Sequence, residues 1–362
     1  MSKAIFKFLT GIYEPYNRFK WARHFNKIHD QILRTEKVAD PRRVTFELTM
    51  RCNLNCRMCF RDKSNKEELT LEDINQVIDN LKPSVDEISL IGGEIFLRSD
   101  IFDILDLLRD RGFIVNFHTN GTLIDEDKVE RLSEYDNFKR IGFSLDGTRE
   151  LHNKIRGSNS AFDKTIEGIK LMAGAFPTAV NSVIMGENID QLEEIFLILN
   201  GLGAVEYRIE PEMFSTEEDV NITKGLLAID GDYIITQIKE DGQYDYPFEK
   251  FQEVKKKLKG LSRDTGMRFN IAPKVADIDD REFYHGTIRE KKKLFCKHLL
   301  VPRIDAQGGL IFCHLIKKEF GNLADKSLEE VWNSGEIMEF RKKLLRNNLS
   351  PVCKRCCRLR SI

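Results

Sequence analysis

Residues 44–59 read Val44-Thr-Phe-Glu-Leu-Thr-Met-Arg-Cys52-Asn-Leu-Asn-Cys56-Arg-Met-Cys59, an apolar, β-branched start that runs straight into three closely spaced cysteines. Val44–Leu48 has the composition of a strand. Three thiolates at x3 and x2 spacing can wrap one face of a cubane iron–sulfur cluster and leave the fourth iron without a protein ligand. A zinc ion would want four ligands, and no fourth Cys or His lies nearby to complete the set. An open iron can instead chelate the amino and carboxylate groups of a methionine moiety.

Working outward, the chain has 362 residues, 41% of them hydrophobic, enough for a large folded domain plus a satellite. A net charge of -1 gives no electrostatic reason to expect nucleic acid as the partner. No apolar run approaches membrane-spanning length and no secretory signal stands at the N-terminus, so a cytoplasmic location is expected. After Cys59 no cysteine occurs until Cys296, and Cys313, Cys353, Cys356 and Cys357 complete a total of eight. In a reducing compartment such clustering reads as metal ligation before disulfide bonding.

From residue 43 strands and helices alternate. Strands are expected at Val44–Leu48, Glu87–Ile91, Phe113–Phe117, Arg140–Leu145, Ala179–Met185 and Val205–Ile209. Helices are expected at Leu71–Leu81 (started by Thr70, with Asp73 three residues on), Ile101–Arg111, Asp125–Glu134, Phe162–Ala175 and Ile189–Gly201. Six such repeats predict an α/β fold, parallel βαβ units curling into a partial (β/α)6 TIM-like barrel, with the chemistry at the C-terminal strand ends. Residues 1–40 carry eight Lys/Arg against four Asp/Glu, and Trp21, Phe25, Ile28 and Ile32 follow helical spacing. A helix packed on the barrel is the plainer reading; peripheral membrane contact through residues 1–35 is the alternative. The expected divisions are 1–42, an amphipathic helical segment; 43–211, the partial barrel; 212–290, a charged connecting segment with a helical Phe248–Leu261 and a basic Arg289–Lys293 run; and 291–362, a small cysteine-bearing domain.

The triplet Cys52, Cys56 and Cys59, placed just after a first strand, resembles the radical S-adenosylmethionine (SAM) superfamily. The supporting motifs stand at strand ends: Gly92-Gly93-Glu94 after the second, Thr119-Asn120-Gly121 after the third and Ser144-Leu-Asp146-Gly147 after the fourth, followed by His152 and Arg156-Gly157. The resemblance implies a 4Fe–4S cluster on the three thiolates and S-adenosylmethionine beside it. Glu94 would meet the methionine ammonium, with Gly92 and Gly93 allowing close backbone approach. Asn120, Ser144 and Asp146 would lie near the nucleotide, and Arg156 would pair with the carboxylate through two parallel bonds. Met58 stands where the family commonly has an aromatic near the adenine, with Phe60 close by; Ile95 replaces the usual proline after Gly-Gly-Glu.

Toward the C-terminus, Cys296 is followed by Gly308, Cys313, a Gly321-Asn-Leu…Ser327-Leu-Glu-Glu-Val-Trp-Asn333 segment, and Cys353-Lys-Arg-Cys356-Cys357. This resembles the SPASM/twitch extension of radical SAM enzymes that modify peptides and proteins. A full module of that kind has more cysteines and a second auxiliary cluster. Here Cys296, Cys313, Cys353 and Cys356 would hold one auxiliary 4Fe–4S cluster, with Cys357 spare or exchanged for Cys356. A structural zinc on the same thiolates is the alternative. His314 stands where sulfatase maturases have an acidic base, which disfavours that reaction; His314 as a base and Cys357 as a hydrogen donor are the catalytic candidates.

The resemblance implies an anaerobic oxidoreductase or maturase that cleaves S-adenosylmethionine to a 5′-deoxyadenosyl radical and takes hydrogen from substrate. A peptide or protein side chain is the expected substrate, and a flavodoxin- or ferredoxin-type protein the expected electron donor. A radical dehydrogenase or epimerase of a small molecule or lipid is a second reading, and a non-catalytic iron–sulfur or zinc redox sensor a third.

Overall fold

Seven consecutive parallel strands carry apolar side chains on one face and polar ones on the other, and that alternation sets the architecture. A computed structural model describes residues 14–34, 37–59, 67–81, 83–273, 280–284 and 293–361. After helix α1 (Glu14–Arg34), β1 (Arg43–Glu47) and α2 (Leu71–Asp79) begin the alternation. It continues through β2 (Glu87–Ile91), α3 (Ile101–Asp110), β3 (Ile114–Thr119), α4 (Glu126–Leu132) and β4 (Phe138–Ser144). Two helices, α5 (Arg149–Arg156) and α6 (Ala161–Ala175), precede β5 (Thr178–Ile184), α7 (Leu192–Gly201) and β6 (Glu206–Pro211). Then come α8 (Glu217–Leu227), α9 (Phe248–Thr265), β7 (Arg268–Ile271) and the short α10 (Asp280–Tyr284). The C-terminal part holds β8 (Leu294–Cys296), β9 (Arg303–Ile304), β10 (Gly309–Ile311), β11 (Glu319–Asn322), α11 (Leu328–Trp332), α12 (Gly335–Arg346) and β12 (Leu359–Ser361).

Among the described residues the main sheet has ten strands in the order β11-β10-β9-β1-β2-β3-β4-β5-β6-β7, parallel from β9 to β7, with β10 antiparallel to both β9 and β11. β8 and β12 form a separate antiparallel pair. The expected alternation from β1 to β6 is present, and α2 starts with the expected capping box, Thr70 and Asp73 each accepting from the other's backbone N–H. The segment 212–290 differs from its expected role as a mere connection, because β7 adds a parallel strand beside β6. The C-terminal part is likewise joined to the barrel sheet, since Thr45 and Phe46 of β1 pair with Arg303 and Ile304 of β9.

The convex face is dry. Val44, Phe46, Ile88, Leu90, Val115, Phe117, Ile141, Phe143, Val180, Tyr207 and Ile209 are all buried there under the helices. Sequestering such side chains, at about 1.5–3 kcal/mol each, is what drives the helices onto the sheet. The alternate residues point into the barrel and are charged. Glu87 is shared by Arg43 and Lys139, and Asn116 also donates to it. Glu206 is shared by Arg140, Arg208 and Arg268, with Asn270 as a fourth donor. Parallel strands buried on both faces read as continuous apolar runs. This alternating set instead encloses a polar chamber.

The stripe on α1 serves the interior. Ile32 is fully buried, Ile28 packs on the core, and Phe25 stacks on Phe295 at 5.0 Å. These three apolar residues face the C-terminal part rather than outward; residues 1–13 lie outside the described ones, and nothing is described of the Trp21 side chain.

Candidate active site

The segment 49–59 is clamped by three elements at the C-terminal end of the barrel. From the β2 end, Gly93 N–H donates to the Thr49 carbonyl at 2.7 Å and Glu94 N–H to that of Arg51 at 2.8 Å. Gly92 is required there, because a Cβ would lie 2.5 Å from the Thr49 oxygen. From the β3 end, Asn120 Nδ2 donates to Asn53 Oδ1 at 2.9 Å and lies 3.8 Å from Cys52 Sγ, while Asn53 donates to Thr122 Oγ1. From α5, the Arg156 and Ile155 carbonyls accept the N–H groups of Asn55 and Arg57. Gly157 ends α5 at φ +67°, and a side chain there would meet the Asn55 oxygen at 2.9 Å.

Glu94 is fully buried. Its Oε1 accepts from Thr119 Oγ1 at 2.8 Å and from Phe96 N–H at 3.3 Å; its Oε2 accepts from Asn120 N–H at 2.7 Å. Burial pushes this carboxyl above its usual range against the opposing pull of those donors. The carboxylate therefore fastens the β2 and β3 ends together, and Oε2, with a single donor, retains a free lone pair.

Arg156 pairs with Asp146, and its Nη1 lies 3.5 Å from Cys56 Sγ. Asp146 is itself held by Val183 N–H at 2.8 Å, and its backbone N–H donates to Nδ1 of the buried His152 at 3.1 Å. Burial, with Arg156 nearby, lowers His152 to about 3, so the ring is neutral. The Cys56 thiol is pushed up by burial and pulled down by the adjoining guanidinium. Met58 is buried against Ile155 and Met185 beside Cys56. Phe60 lies outside the described residues.

Ser144 faces the chamber and hydrogen-bonds His118 Nε2 at 2.8 Å. Burial brings His118 down to about 4, again a neutral ring. Sequence reasoning passed over His118, although it immediately precedes Thr119-Asn120-Gly121 at an inward-facing position. It also passed over Glu210, the last inward residue of β6, whose Oε1 is buried without a hydrogen-bond partner among the described residues.

Cys296, Cys313, Cys353 and Cys356 surround one pocket, together with His298, Phe312 and Leu315. Burial raises the Cys296 and Cys353 thiols and pushes Cys313 up to about 12, so iron must displace their protons to bind. Ile316 N–H donates to Cys313 Sγ at 3.2 Å and Arg358 N–H to Cys356 Sγ at 3.4 Å, the kind of donor that supports a ligated sulfur. Cys357 is buried but does not line this pocket; it turns toward Cys356 and Glu210. His314 is not in the pocket either: its Nε2 lies 3.3 Å from Met213 Sδ, its ring 5.6 Å from that of His298, and burial keeps it neutral.

Both cysteine sets fit a cluster. Among the described residues no three His, Cys, Asp or Glu side chains converge closely enough to hold a single metal ion. The four thiols instead stand around a cavity, as a cubane ligated from outside at each iron requires. At the first loop, Arg156 Nε is buried without a hydrogen-bond partner among the described residues, leaving a cationic donor for an anionic group beside the Cys56 thiol. No helix among the described residues is long and apolar enough to cross a membrane.

Comparison with known proteins agrees with this geometry. The radical SAM superfamily model matches residues 46–199, and the iron–sulfur cluster-binding SPASM domain model matches residues 301–357. An AdoMet-dependent heme synthase of Methanosarcina barkeri is 35% identical over 175 residues, covering 47% of this chain and 50% of that protein. The antilisterial bacteriocin subtilosin biosynthesis protein AlbA of Bacillus subtilis is 32% identical over 170 residues, covering 45% of this chain and 38% of the relative. The chain thus spans half or less of the length of these relatives. Streptococcus suis SuiB bound to its precursor peptide SuiA shares the fold at a TM-score of 0.64 and 16% identity, over 96% of this chain and 77% of SuiB. The chain belongs to the radical SAM superfamily, carries a C-terminal SPASM iron–sulfur domain, and has 4Fe–4S clusters and S-adenosylmethionine as its cofactors.

Proposed function

We propose that the chain reductively cleaves S-adenosylmethionine and uses the resulting 5′-deoxyadenosyl radical to take a hydrogen atom from a peptide or protein side chain held in the barrel chamber. The observation that carries the catalytic part is the clamping of the segment 49–59 by the β2, β3 and α5 ends, with Asn120 and Arg156 beside two of its thiols. Cys52, Cys56 and Cys59 would hold the 4Fe–4S cluster, which when bound would supply the electron for cleavage of the carbon–sulfur bond of the nucleotide.

The remaining work falls to side chains. Arg156, steadied by Asp146, uses its unpartnered Nε toward the methionine carboxylate. Glu94 Oε2 offers its spare lone pair to the ammonium. Ser144, oriented by the neutral His118, points a hydroxyl toward the nucleotide. Met58 gives an apolar wall in place of an aromatic ring. Cys296, Cys313, Cys353 and Cys356 hold the auxiliary cluster, and Cys357 is the spare thiol. His314 takes no catalytic part in this reading, since its ring lies against Met213 and outside the four-thiol pocket.

The peptide reading is supported by the likeness to AlbA, which is named for bacteriocin biosynthesis. A small-molecule substrate is the second reading, supported by the likeness to a heme synthase and by the cations of the chamber. The test is to reconstitute the protein anaerobically, reduce it and measure 5′-deoxyadenosine. Formation of the nucleoside is expected, and its absence in protein with full iron content would overturn the catalytic reading.

A further inference from the structure

Inside the barrel, three guanidiniums converge on one carboxylate. Glu206 Oε1 accepts from Arg208 Nη2 at 2.8 Å and from Asn270 Nδ2 at 3.0 Å. Its Oε2 accepts from Arg140 Nη1 at 3.2 Å and from Arg268 Nη2 at 3.0 Å. Arg140 comes from β4, Arg208 from β6 and Arg268 from β7, so three strands aim cations at one place. Glu206 and Arg268 each begin their strand, at the end of the sheet opposite the cysteine loop. Glu210, near the far end of β6, lies about 13 Å away along the strand.

One carboxylate does not neutralise three guanidiniums. It has about four lone-pair sites, which the four donors fill, while each guanidinium carries further N–H groups. Glu87 gives no relief, because Arg43 and Lys139 already share it, and Lys139 directly precedes Arg140. Arg43 Nε is buried without a hydrogen-bond partner among the described residues. Five cations thus meet two carboxylates in a chain whose net charge is -1, so the excess is local. Burial, with Arg208 and Arg268 alongside, draws Arg140 below its ordinary value. The Glu206 side chain is 3% exposed, whereas those of Arg140 and Arg268 are 36% and 37% exposed. The carboxylate lies deep, and an anion arriving from solvent meets the guanidiniums first.

We propose that Arg140, Arg208 and Arg268 form an anion site at the N-terminal mouth of the barrel, and that it takes a phosphate or diphosphate group. Guanidiniums hold phosphate oxygens through paired, charge-assisted hydrogen bonds. Arg140 and Arg268 already share one oxygen of Glu206, so the group that joins them is compact. A phosphoryl group turns its oxygens in several directions, which suits donors arriving from three strands; a second carboxylate would set both of its oxygens in one plane. The strands separate this site from the cysteine loop, so its ligand is not the group that gives up hydrogen. It bears on the enzyme from a distance. Free pyrophosphate and a nucleoside diphosphate both carry the required chemistry.

The test is calorimetric titration of the anaerobically reconstituted holoenzyme at fixed ionic strength, with S-adenosylmethionine present. The probes are pyrophosphate and adenosine diphosphate, with citrate as comparator. At least one probe should bind, and the tighter of the two identifies the source. Arg140→Gln and Arg268→Gln, at unchanged iron content, should each weaken that binding by about tenfold. Glu206→Gln should tighten it by about tenfold, because it removes the charge that competes with the ligand. If these variants do not fold, phenylglyoxal labelling of the parent, mapped by peptide mass, decides instead: pyrophosphate should protect Arg140 and Arg268. Binding of neither probe, parental affinity in the variants, or no protection would overturn the site; tighter binding of citrate would overturn the choice of phosphate.

Discussion

Arg156 is bound to Asp146 and at the same time reaches to within 3.5 Å of Cys56 Sγ. One guanidinium thus joins the end of β4 to the cysteine loop. Arg156→Ala leaves Asp146 buried and unpaired, which should lower stability by about 3–5 kcal/mol. It should also weaken S-adenosylmethionine binding by about tenfold or more. Asp146→Asn in the same chain should return part of the stability but not the affinity. Anaerobic denaturant melts and nucleotide titration of both variants check this; parental affinity in Arg156→Ala would place that residue away from the nucleotide.

Replacing Cys52, Cys56 and Cys59 by Ala together should abolish nucleotide cleavage and leave the auxiliary iron in place. Iron per chain should fall from about eight to about four. Cleavage that persists in the triple variant would refute the assignment of the loop.

Cys356→Ala should lose the auxiliary cluster, whereas Cys357→Ala should keep it, because only Cys356 lines the four-thiol pocket. Iron analysis of the two single variants decides the matter, and the opposite pattern would exchange their roles.

Gly92→Ala and Gly174→Ala make a paired test of where glycine is needed. A Cβ at Gly92 would strike the Thr49 carbonyl at 2.5 Å, while at Gly174 nothing lies within 4 Å. Gly92→Ala should cost about 1–3 kcal/mol and impair cluster reconstitution. Gly174→Ala, near the end of α6, should stabilise by up to about 1 kcal/mol. Thermal melts and the iron charge-transfer absorbance measure both effects.

His152 gives a prediction in pH. Its folded value is lowered to about 3 from 6.5, so the unfolded chain takes up a proton first as pH falls. Stability is therefore present above pH 6.5 and declines as pH drops below it, by at most about 1.4 kcal/mol per unit for one group. His152→Gln should flatten the urea-midpoint profile between pH 6.5 and 5.5 even if it lowers the midpoint throughout. A slope identical to the parent's would mean that His152 does not carry the dependence.

Much of the frame was legible because β1 to β6 announce themselves by apolar residues at alternate positions between turn signals. The same alternation held the clue to the chamber, since Arg43, Glu87, Arg208 and Glu210 sit at the intervening positions. Helix α5 escaped notice: Arg149–Arg156 is short and mostly polar, and its purpose, offering two carbonyls to the cysteine loop, is a tertiary matter. β7 has only four residues and no flanking repeat. The Arg156–Asp146 pair was equally invisible, because each residue separately suggested contact with the nucleotide. Packing, not pattern, decided which of them met the other.

The pairing of β1 with β9 also has a consequence for synthesis. Residues 45–46 emerge from the ribosome more than two hundred positions before residues 303–304, which cover their free edge. Until then the nascent barrel presents an open strand edge next to three unligated thiols, the kind of template on which neighbouring chains join. Cells making this protein therefore gain from shielding the half-made sheet, and expression with slowed elongation or without holdase chaperones should send the chain into inclusion bodies before any cluster can form.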